Sequence, residues 1–459
     1  MRNSLLSSTG SAGIDFSRGP VWRIILEQAV PLTAAQLVQL TYNLVDRIFL
    51  GHLSSGGGMA LVGVGLVFPV VTLVTAFTAF FGQGGVPSFS MERGGRDSGA
   101  AERTMGNSFT LLLSSSVLIS LLCFVFRKPV LYAFGASAES YLFAEEYLDI
   151  YLLGTAFSML STGMNGYINA QGFPVFGMVT VLSGAAVNIA LDPLFIFVLK
   201  MGVKGAAIAT VISQAVSAVW VLCFLSGKKP SLRLRAKFLA LKRRTAWNII
   251  RLGFVNFVMQ AGNFLVQVSC NSTLQAFGGD VYVAVMTIAN SVRDVLTLPV
   301  NGVFGSAQPV ISYNYGAGEN RRVIDGIRFT TAAGVSWTLL AWIFTVIFPD
   351  AWIKIFSSDA DVLLAGKRAL RLYFSGFVFQ AFQFAGQSVF QALGDARHAI
   401  FFSILRKIVI VIPLTLFLPR AGLGTSGVFL AEPVSNVIGG LSCYATMRLT
   451  AYRKLKNGK

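Results

Sequence analysis

The sequence predicts an all-α polytopic membrane protein, with twelve transmembrane helices in two six-helix lobes related by a pseudo-twofold axis. Three observations support this fold class. Apolar residues make up 54% of the chain and charged residues 12%, and the mean hydropathy is +0.66, which is typical of helical membrane proteins. The apolar segments run for about 20 residues or more, whereas strands of a membrane barrel alternate in polarity over about ten residues. The third observation is an internal repeat.

The repeat relates residues 169–213 to residues 391–435 in an alignment without gaps. Nine of the 45 aligned positions are identical, and five of these are Gly or Ala, which suit places where the backbone allows no larger side chain. The identical pairs include Ala170 and Ala392, Gly172 and Gly394, Phe195 and Phe417, Gly202 and Gly424, Gly205 and Gly427, Ala209 and Ala431, and Ser213 and Ser435. Two such copies predict two related lobes in one chain.

Twelve apolar segments are long enough to cross a bilayer as helices. They cover residues 25–51, 59–90, 105–126, 140–171, 174–199, 205–226, 252–277, 281–313, 328–348, 362–393, 399–419 and 425–447. With both termini cytoplasmic, the inside segments hold 24 Lys and Arg residues and the outside segments hold 9, in agreement with the positive-inside rule. This distribution explains the net charge of +17 better than a nucleic-acid partner does.

The predicted domains are an N-terminal lobe at residues 1–226, a cytoplasmic linker at 227–251 and a C-terminal lobe at 252–459 that ends in a basic tail. The linker contains nine Lys and Arg residues and no acid. Because basic segments beside a membrane are attracted to anionic headgroups, we expect the linker to lie along the inner membrane surface.

The first span carries a polar stripe on an otherwise apolar helix. Gln39, Tyr42 and Asp46 recur at helical spacing and therefore share a face. An acid at this depth is costly, so Asp46 is a candidate functional carboxyl. The alternative is an ion pair with Arg47, although adjacent side chains on a helix point about 100° apart.

The fourth and fifth spans carry the second set of candidate residues. Asn188 and Asp192 lie one helical turn apart in the fifth span and share a face, and Asp192 is a second intramembrane acid. The fourth span adds Tyr147, Tyr151 and Asn165. The alternative for Asn165 is a hydrogen bond to a neighbouring helix, which is the common fate of a membrane asparagine.

The second half of the chain has its own intramembrane charges. Arg293 and Asp294 lie in the eighth span, Arg406 and Lys407 in the eleventh, and Glu432 in the twelfth. Asp294 and Glu432 are candidates for binding a cationic substrate, which the abundant aromatic residues would also favour through cation–π contacts. The alternative is that Arg406 and a carboxylate form a structural ion pair between helices.

Nothing in the sequence indicates an enzyme or a bound cofactor. The four cysteines have no paired spacing that would suggest disulfides or a metal site; they are Cys123, Cys223, Cys270 and Cys443. The glycine-rich segments GQGGVPSFSMERGG and GSAQPVISYNYGAGENRR lack the Gly-Lys-Ser/Thr element of a phosphate loop. We therefore expect no ATP hydrolysis in this chain, and energy would come from an ion gradient or a partner.

Several motifs together resemble one family. They are VPLTAAQLVQLTYNLVDRIFLGHL in the first span, NGYINAQGFP between the fourth and fifth, NIALDPLFIF in the fifth, GVKGAAIAT opening the sixth, QPVISYNYGAG after the eighth, and FQALGDARHAIFFSILRK in the tenth and eleventh. With these motifs, which extend over nearly the whole chain, the sequence resembles the multidrug and toxic compound extrusion (MATE) transporters, in the bacterial branch of MepA-like and DinF-like pumps.

The resemblance implies a MATE/MOP fold with a V-shaped cavity and alternating access by rocking of the lobes. It implies export of organic cations and other amphipathic drugs in exchange for H+ or Na+, and hence antibiotic resistance. The expected location is the bacterial cytoplasmic (inner) membrane, as a multi-pass protein with both termini inside. The expected partners are small-molecule drugs and the lipid bilayer, with no cofactor and no nucleic acid, and a monomer is the expected state.

The resemblance also implies site residues. In family members that have a cation site in the N-terminal lobe, the site residues match six residues of this sequence. These are Asp46, Tyr147, Asn165, Asn188, Asp192 and Thr210. Four of these offer oxygen ligands for a possible Na+ site, namely Asp46, Asn188, Asp192 and Thr210. The residues expected to bind substrate are Gln39, Tyr42, Tyr151, Asp294 and Glu432. The second-lobe Na+ site of some members uses an acid in the seventh span, which this sequence lacks.

The expected mechanism is antiport through shared carboxylates. Burial and like-charge repulsion between Asp46 and Asp192 would let one carboxyl hold a proton near neutral pH, and a drug cation would compete with that proton or with Na+. Two alternatives belong to other classes. A lipid-linked precursor flippase of the same superfamily would need a wide cationic cavity, and a non-transporting membrane scaffold would bind cations without regard to ion gradients.

Overall fold

A computed structural model of the protein describes residues 13–51, 57–357 and 359–457. Every element in these ranges is helical, and each of the twelve predicted spans is mostly helical, which confirms the predicted all-α class. The chain folds into two units. Of the described residues, the first unit contains 13–15 and those between Val30 and Gly253, and the second contains Phe16–Ala29 and those from Phe254 onward. The lobe and linker boundaries expected from the sequence stay a prediction about the protein in its membrane.

In the described part of the chain, the first unit is built from eight helices and the start of a ninth. They are α1 (Val21–Gly51), α2 (Gly57–Phe81), α3 (Val86–Gly94), α4 (Ser98–Val125), α5 (Arg127–Ala133), α6 (Ala138–Ala170), α7 (Pro174–Pro193), α8 (Gly202–Ser226) and α9 (Arg243–Gly316). A π-helical segment, Leu194–Val198, follows α7 directly.

The second unit contains most of α9 and, over the residues that the structure describes, eight further helices. They are α10 (Asn320–Ile347), α11 (Pro349–Phe356), α12 (Ala360–Phe374), α13 (Phe377–Ala392), α14 (Ala396–Ile404), α15 (Ile412–Leu418), α16 (Gly424–Met447) and α17 (Arg453–Lys456). A π-helical segment, Leu405–Val411, joins α14 to α15.

Helix α9 contains two of the predicted spans. It has 74 residues and is interrupted at Gly279, where φ is 67° and ψ is −164°. Only glycine adopts this backbone conformation without strain, so the chain turns there between two helical segments. By length and composition, seven helical stretches in the described ranges can cross a membrane, and two of them, α9 and the run Ala396–Lys456, are long enough for more than one crossing.

The beginning of α1 is anchored in the second unit. Arg322 donates hydrogen bonds from Nη2 to the carbonyl of Phe16 and from Nη1 to that of Gly19, each at 2.9 Å, and the Phe16 side chain is fully buried. The remainder of α1, from Val30, belongs to the first unit. The change of unit coincides with Pro31, which removes one backbone hydrogen bond from the helix.

The linker is held by specific side chains of the first unit. Asn107 of α4 donates from Nδ2 to the carbonyls of Phe238 and Ala240, both at 3.1 Å, and accepts at Oδ1 from the backbone N–H of Lys242 at 2.8 Å. One buried asparagine therefore satisfies three backbone groups of the connection, as buried backbone groups require. The expected position of the linker along the inner membrane surface stays a prediction.

The internal repeat is visible in the backbone of each unit. Gly172 and Gly394 both have positive φ, 88° and 77°. A Cβ atom added to Gly205 would lie 2.8 Å from a main-chain carbonyl carbon of the preceding helical segment, and one added to Gly427 would meet the corresponding segment at the same distance. Both pairs align in the sequence repeat, which confirms that the identities mark positions where a side chain is excluded.

Candidate functional site

The first candidate site is a buried polar pair on α7. Asn188 donates from Nδ2 to Oδ1 of Asp192 at 3.2 Å, and the two residues are 2% and 0% exposed. The amide oxygen, Oδ1 of Asn188, has no hydrogen-bond partner among the described residues. Because the amide is neutral, it can donate to either the charged or the protonated carboxyl. The pair therefore provides an oxygen-rich position that suits a proton or a small cation.

Asp192 lies where the regular α7 helix ends. Pro193 follows it, and the next segment is π-helical, with the N–H of Leu199 donating to the carbonyl of Leu194 at 2.9 Å. Proline also removes the helical hydrogen bond to the carbonyl four residues earlier. Such irregular turns inside membrane helices are frequent at functional sites, so the acid sits at a position where the helix can rearrange.

Two stacked tyrosines of α6 lie at the depth of this pair. Tyr147 and Tyr151 are 6% and 3% exposed, and their rings stack with centroids 6.3 Å apart and an interplanar angle of 15°. Asn165 of α6 contacts Gly177 of α7, and the two helices run antiparallel from the hairpin. Tyr151 precedes Asn165 by about four helical turns, and Asp192 follows Gly177 by about four turns. Because both helices rise equally per turn from this contact, Tyr151 lies level with Asp192.

Thr210 of α8 lies close to the level of Asn188. Ser217 of α8 donates from Oγ to the carbonyl of Thr180 on α7 at 3.0 Å, and these helices also run in opposite directions. Thr210 and Asn188 each lie about two helical turns from that contact, on their own helices. The register therefore brings Thr210 to the predicted part of the site, where it is partly buried.

Asn165 is separated from Asp192. It donates from Nδ2 to the carbonyl of Gly177 at 3.1 Å and accepts at Oδ1 from the hydroxyl of Thr180 at 3.4 Å. Thr180 and Asp192 are more than three turns apart on α7, or about 18 Å at a helical rise of about 1.5 Å per residue. Asn165 therefore forms the helix–helix hydrogen bond that was its alternative, and it does not contact Asp192 directly. It is not one of the four predicted Na+ ligands.

The predicted residues of α1 are only partly described. Gln39 is exposed and Tyr42 is partly buried, and Tyr42 lies within electrostatic reach of Tyr151. The side chains of residues 43–44, 46–48 and 50–61 are outside the described part of the structure. Asp46 is among them, so its role in coupling and in a Na+ site stays a prediction.

A second polar cluster is buried in the other unit. Oε1 of Glu432 accepts from Nη2 of Arg406 at 2.7 Å and from Nζ of Lys407 at 3.0 Å, and the three side chains are 8%, 5% and 12% exposed. Arg406 also donates to Oδ1 of Asn436. Because two bases already neutralise Glu432, the expectation that this carboxylate binds a cationic substrate is corrected in favour of its alternative, an ion pair between helices.

Arg293 and Asp294 form the accessible edge of this cluster. Arg293 donates from Nη1 to the hydroxyl of Tyr373 at 2.8 Å, and Tyr373 in turn donates to Oδ1 of Asn290 at 3.1 Å. Asp294 pairs with Nη2 of Arg293 at 3.1 Å but is 61% exposed. Asp294 is therefore shared with its own neighbour, and its proposed contact with a substrate stays a prediction.

The sequence analysis missed a row of buried glutamines on α13. Gln383 donates to Gln387 at 3.1 Å, Gln387 donates to Ser403 at 2.6 Å, and Gln391 accepts from Gln308 at 2.8 Å. Their spacing of four residues within an apolar span is the signal that could have revealed this polar face. In the described ranges, no group of three or more His, Cys, Asp or Glu residues is arranged to hold a metal ion.

A family model and several known proteins match this chain. The MatE family model matches residues 31–194 and 252–417. The offset in residue number between these two ranges is nearly the same as the offset between the two copies of the internal repeat. The multidrug export protein MepA of Staphylococcus haemolyticus (strain JCSC1435) is 23% identical over 423 residues, 92% of each chain. MepA of Staphylococcus aureus (strain MSSA476) is 22% identical over 415 residues, 90% of each chain.

Solved structures share the fold. A multidrug resistance MATE family transporter of the MOP superfamily, in an outward-facing conformation, superposes with a TM-score of 0.90 at 24% identity, covering 97% of this chain and 99% of that one. A MOP superfamily transporter from Pyrococcus furiosus has a TM-score of 0.89 at 24% identity, with the same coverage.

Proposed function

The chain belongs to the MatE family, and from this premise we propose that it is a secondary active multidrug efflux transporter. It exports organic cations and other amphipathic drugs by antiport with H+ or Na+, through alternating access. The observation that carries this proposal is the buried Asn188 and Asp192 pair, which lies in a helical stretch long enough to cross a membrane. A buried intramembrane acid beside a neutral amide is the kind of group that exchanges one cation for another.

In the proposed cycle, Asp192 binds the coupling ion and releases it when a drug cation arrives. A protonated or Na+-bound carboxyl is neutral overall and costs less to bury than a bare carboxylate. Release of the ion leaves a charge that favours binding of the cationic drug or a change of conformation. The break in α7 at Pro193 offers a place for that change, because the π-helical turn beyond it can repack without breaking a regular helix.

The proposed substrate contacts are aromatic as well as electrostatic. Tyr147 and Tyr151 have nearly parallel rings, the helix register places Tyr151 level with Asp192, and flat organic cations bind to aromatic rings through cation–π contacts. Gln39 and Tyr42 would add polar contacts from α1. Asp46 is proposed as the second acid of the coupling site.

The proposed setting is the bacterial cytoplasmic membrane, as a multi-pass protein with both termini inside. Its proposed partners are small-molecule drugs and the surrounding lipid, and it acts as a monomer without a cofactor. No catalytic activity is proposed.

The test is ethidium efflux from proteoliposomes with proton and sodium gradients imposed separately. Wild-type protein should export the dye when at least one gradient is present, and Asp192→Asn should abolish that export. Asp350→Asn is the matched control, because Asp350 is a surface acid of α11 whose partner is Lys367. Full efflux by Asp192→Asn would overturn the assigned role, and wild-type protein that ignores both gradients would favour the flippase or scaffold alternatives.

A further inference from the structure

Helix α12 of the second unit has one buried apolar face and one exposed basic face. Leu370 and Tyr373 on the first face are buried. Lys367, Arg368 and Arg371 are exposed, and because they lie one helical turn apart they share the other face. All three belong to a segment predicted to be outside the membrane, so the positive-inside rule does not account for them.

The three bases line one open hollow of the surface. Its volume is about 330 Å³, and its other lining residues are Leu364 and Leu372. Leu364 is 81% exposed. Basic side chains beside exposed leucines are typical of a helix that lies at the boundary between lipid headgroups and acyl chains. The composition of the hollow therefore suits a ligand with an anionic group and an apolar part.

Two of these bases have charge available for a ligand. Lys367 already pairs with Asp350, at 2.8 Å between Nζ and Oδ2. The described hydrogen bond of Arg371 leaves from Nε, to a main-chain carbonyl of α10 at 3.3 Å. Among the described residues, neither Arg371 nor Arg368 forms an ion pair. Arg127 of the first unit, also predicted outside, differs because two acids neutralise it at 3.0 and 2.8 Å.

A second hollow adjoins the first and offers a different set of groups. Its volume is about 390 Å³, and it shares Leu364 and Arg368 with the basic hollow. Asp361 of α12, Tyr282 of α9 and Ser426 of α16 also line it. Asp361 precedes Arg368 by about 10 Å along the helix, so the carboxylate and the basic hollow lie at different places. Carboxylate and hydroxyl groups bind the hydroxyls of a polyol.

We propose that α12 binds the headgroup of an anionic phospholipid, phosphatidylglycerol. Its phosphate lies between Arg368 and Arg371, because guanidinium groups form charge-assisted and often bidentate hydrogen bonds with phosphate oxygens. Its glycerol hydroxyls lie in the second hollow, and its acyl chains run past Leu364 and Leu372. The inference goes beyond the proposed function, since it involves neither a drug nor the coupling ion.

The test measures phospholipid binding to the purified full-length protein in detergent. Phosphatidylglycerol, phosphatidylethanolamine and phosphatidylcholine with the same dioleoyl chains are titrated separately, and native mass spectrometry gives the affinity of each lipid. Hydrogen–deuterium exchange of residues 360–374 reports binding at α12 itself, so lipid bound to the basic linker does not obscure the result. The variants are Arg368→Gln and Arg371→Gln. Arg397→Gln is the matched control, because Arg397 is an exposed arginine beyond the other end of the predicted tenth span.

Phosphatidylglycerol should slow exchange at residues 360–374 of the wild type and should bind more tightly than the other two lipids. Arg368→Gln and Arg371→Gln should each weaken phosphatidylglycerol binding about fivefold, the usual contribution of one basic residue beside an anionic headgroup. Each should also remove most of the protection of α12, whereas Arg397→Gln should leave that protection unchanged. Equal affinity of the wild type for all three lipids would overturn the proposal, and so would protection of α12 that persists in both arginine variants.

A further titration separates a lipid from a soluble phosphate compound with the same headgroup. Glycerophosphoglycerol carries the phosphate and both glycerols but no acyl chains. We expect it to leave exchange at residues 360–374 unchanged at the concentration at which the lipid protects them, because it lacks the apolar part that contacts Leu364 and Leu372. Equal protection by this compound would show that the site binds a soluble phosphodiester and would overturn the assignment to a lipid.

Discussion

Asn188 holds Asp192 through a neutral hydrogen bond of 3.2 Å, in a part of α7 where both side chains are almost fully buried. The amide is neutral and can donate to the carboxyl in either of its protonation states. This contrasts with Glu432 in the second unit, which is held by two bases.

The first prediction concerns Asn188. Asn188→Ala removes the donor to Asp192, and the loss of a buried hydrogen bond to a carboxyl costs about 1–3 kcal/mol. We expect ethidium efflux to fall about tenfold or more, which corresponds to about 1.4 kcal/mol, and its dependence on pH to shift. The measurement is efflux from proteoliposomes across a series of external pH values. Asn457→Ala, at an exposed position of the C-terminal region, is the control, and an unchanged pH profile for Asn188→Ala would contradict the proposal.

The second prediction concerns Asn165, which bridges α6 and α7. Asn165→Ala removes the hydrogen bonds to Gly177 and Thr180, so we expect a loss of stability of about 1 kcal/mol, in the range for membrane helix pairs. Thermal unfolding of the detergent-purified protein measures this loss. The pH profile of efflux should stay as in the wild type. A shifted pH profile of efflux would show that Asn165 takes part in ion coupling despite its distance from Asp192.

The third prediction concerns the glycines of the repeat. Gly205→Ala places a Cβ atom 2.8 Å from the main chain of the preceding helical segment, so we expect a destabilisation of about 1–3 kcal/mol, typical of overpacking. Gly427→Ala should cost a similar amount, because Gly427 makes the equivalent approach. Gly65→Ala is the control, since a Cβ there meets nothing within 4 Å. Unfolding temperatures measure the effect, and equal values for Gly205→Ala and Gly65→Ala would show that the close approach is not essential.

The fourth prediction concerns Glu432. Glu432→Gln leaves Arg406 and Lys407 buried without their shared acid, and breaking a buried ion pair by removing one partner typically costs about 3–5 kcal/mol. We therefore expect a large drop in the unfolding temperature. Asp350→Asn breaks the exposed pair with Lys367 and should lower it far less, because solvent screens surface pairs. Similar drops for the two variants would argue that the Glu432 cluster is accessible to water rather than buried.

Acidification should affect that exposed pair in a defined direction. The hydrogen bond from Lys367 lowers the pKa of Asp350 below its ordinary value of 3.8. Its small contribution to stability is therefore complete above the ordinary pKa and is lost as the pH falls through the lower pKa of the folded protein. The unfolding temperatures of wild type and Asp350→Asn should accordingly converge as the pH falls below 3.8, and divergence would contradict this pairing.

The sequence by itself determined the helices and the repeat. Hydrophobic length sets where a chain can cross a membrane, and the turn between the fourth and fifth spans follows from local residues, with Gly172 at positive φ and Pro174 opening α7. Backbone conformation at a glycine is a local property, and so the repeat found in the sequence also appears in the φ angles of Gly172 and Gly394.

Only the tertiary structure decided which side chains meet. Asn165 and Asp192 are both candidates for cation coupling in the sequence. The register of α6 against α7 places them about 18 Å apart along the helix. The sequence alone does not show which bases lie next to Glu432. The packing of α16 against the π-helical segment brings Arg406 and Lys407 to one of its oxygens. Helical periodicity fixes the face on which a residue lies, whereas the rotation and depth of neighbouring helices depend on packing along their whole length.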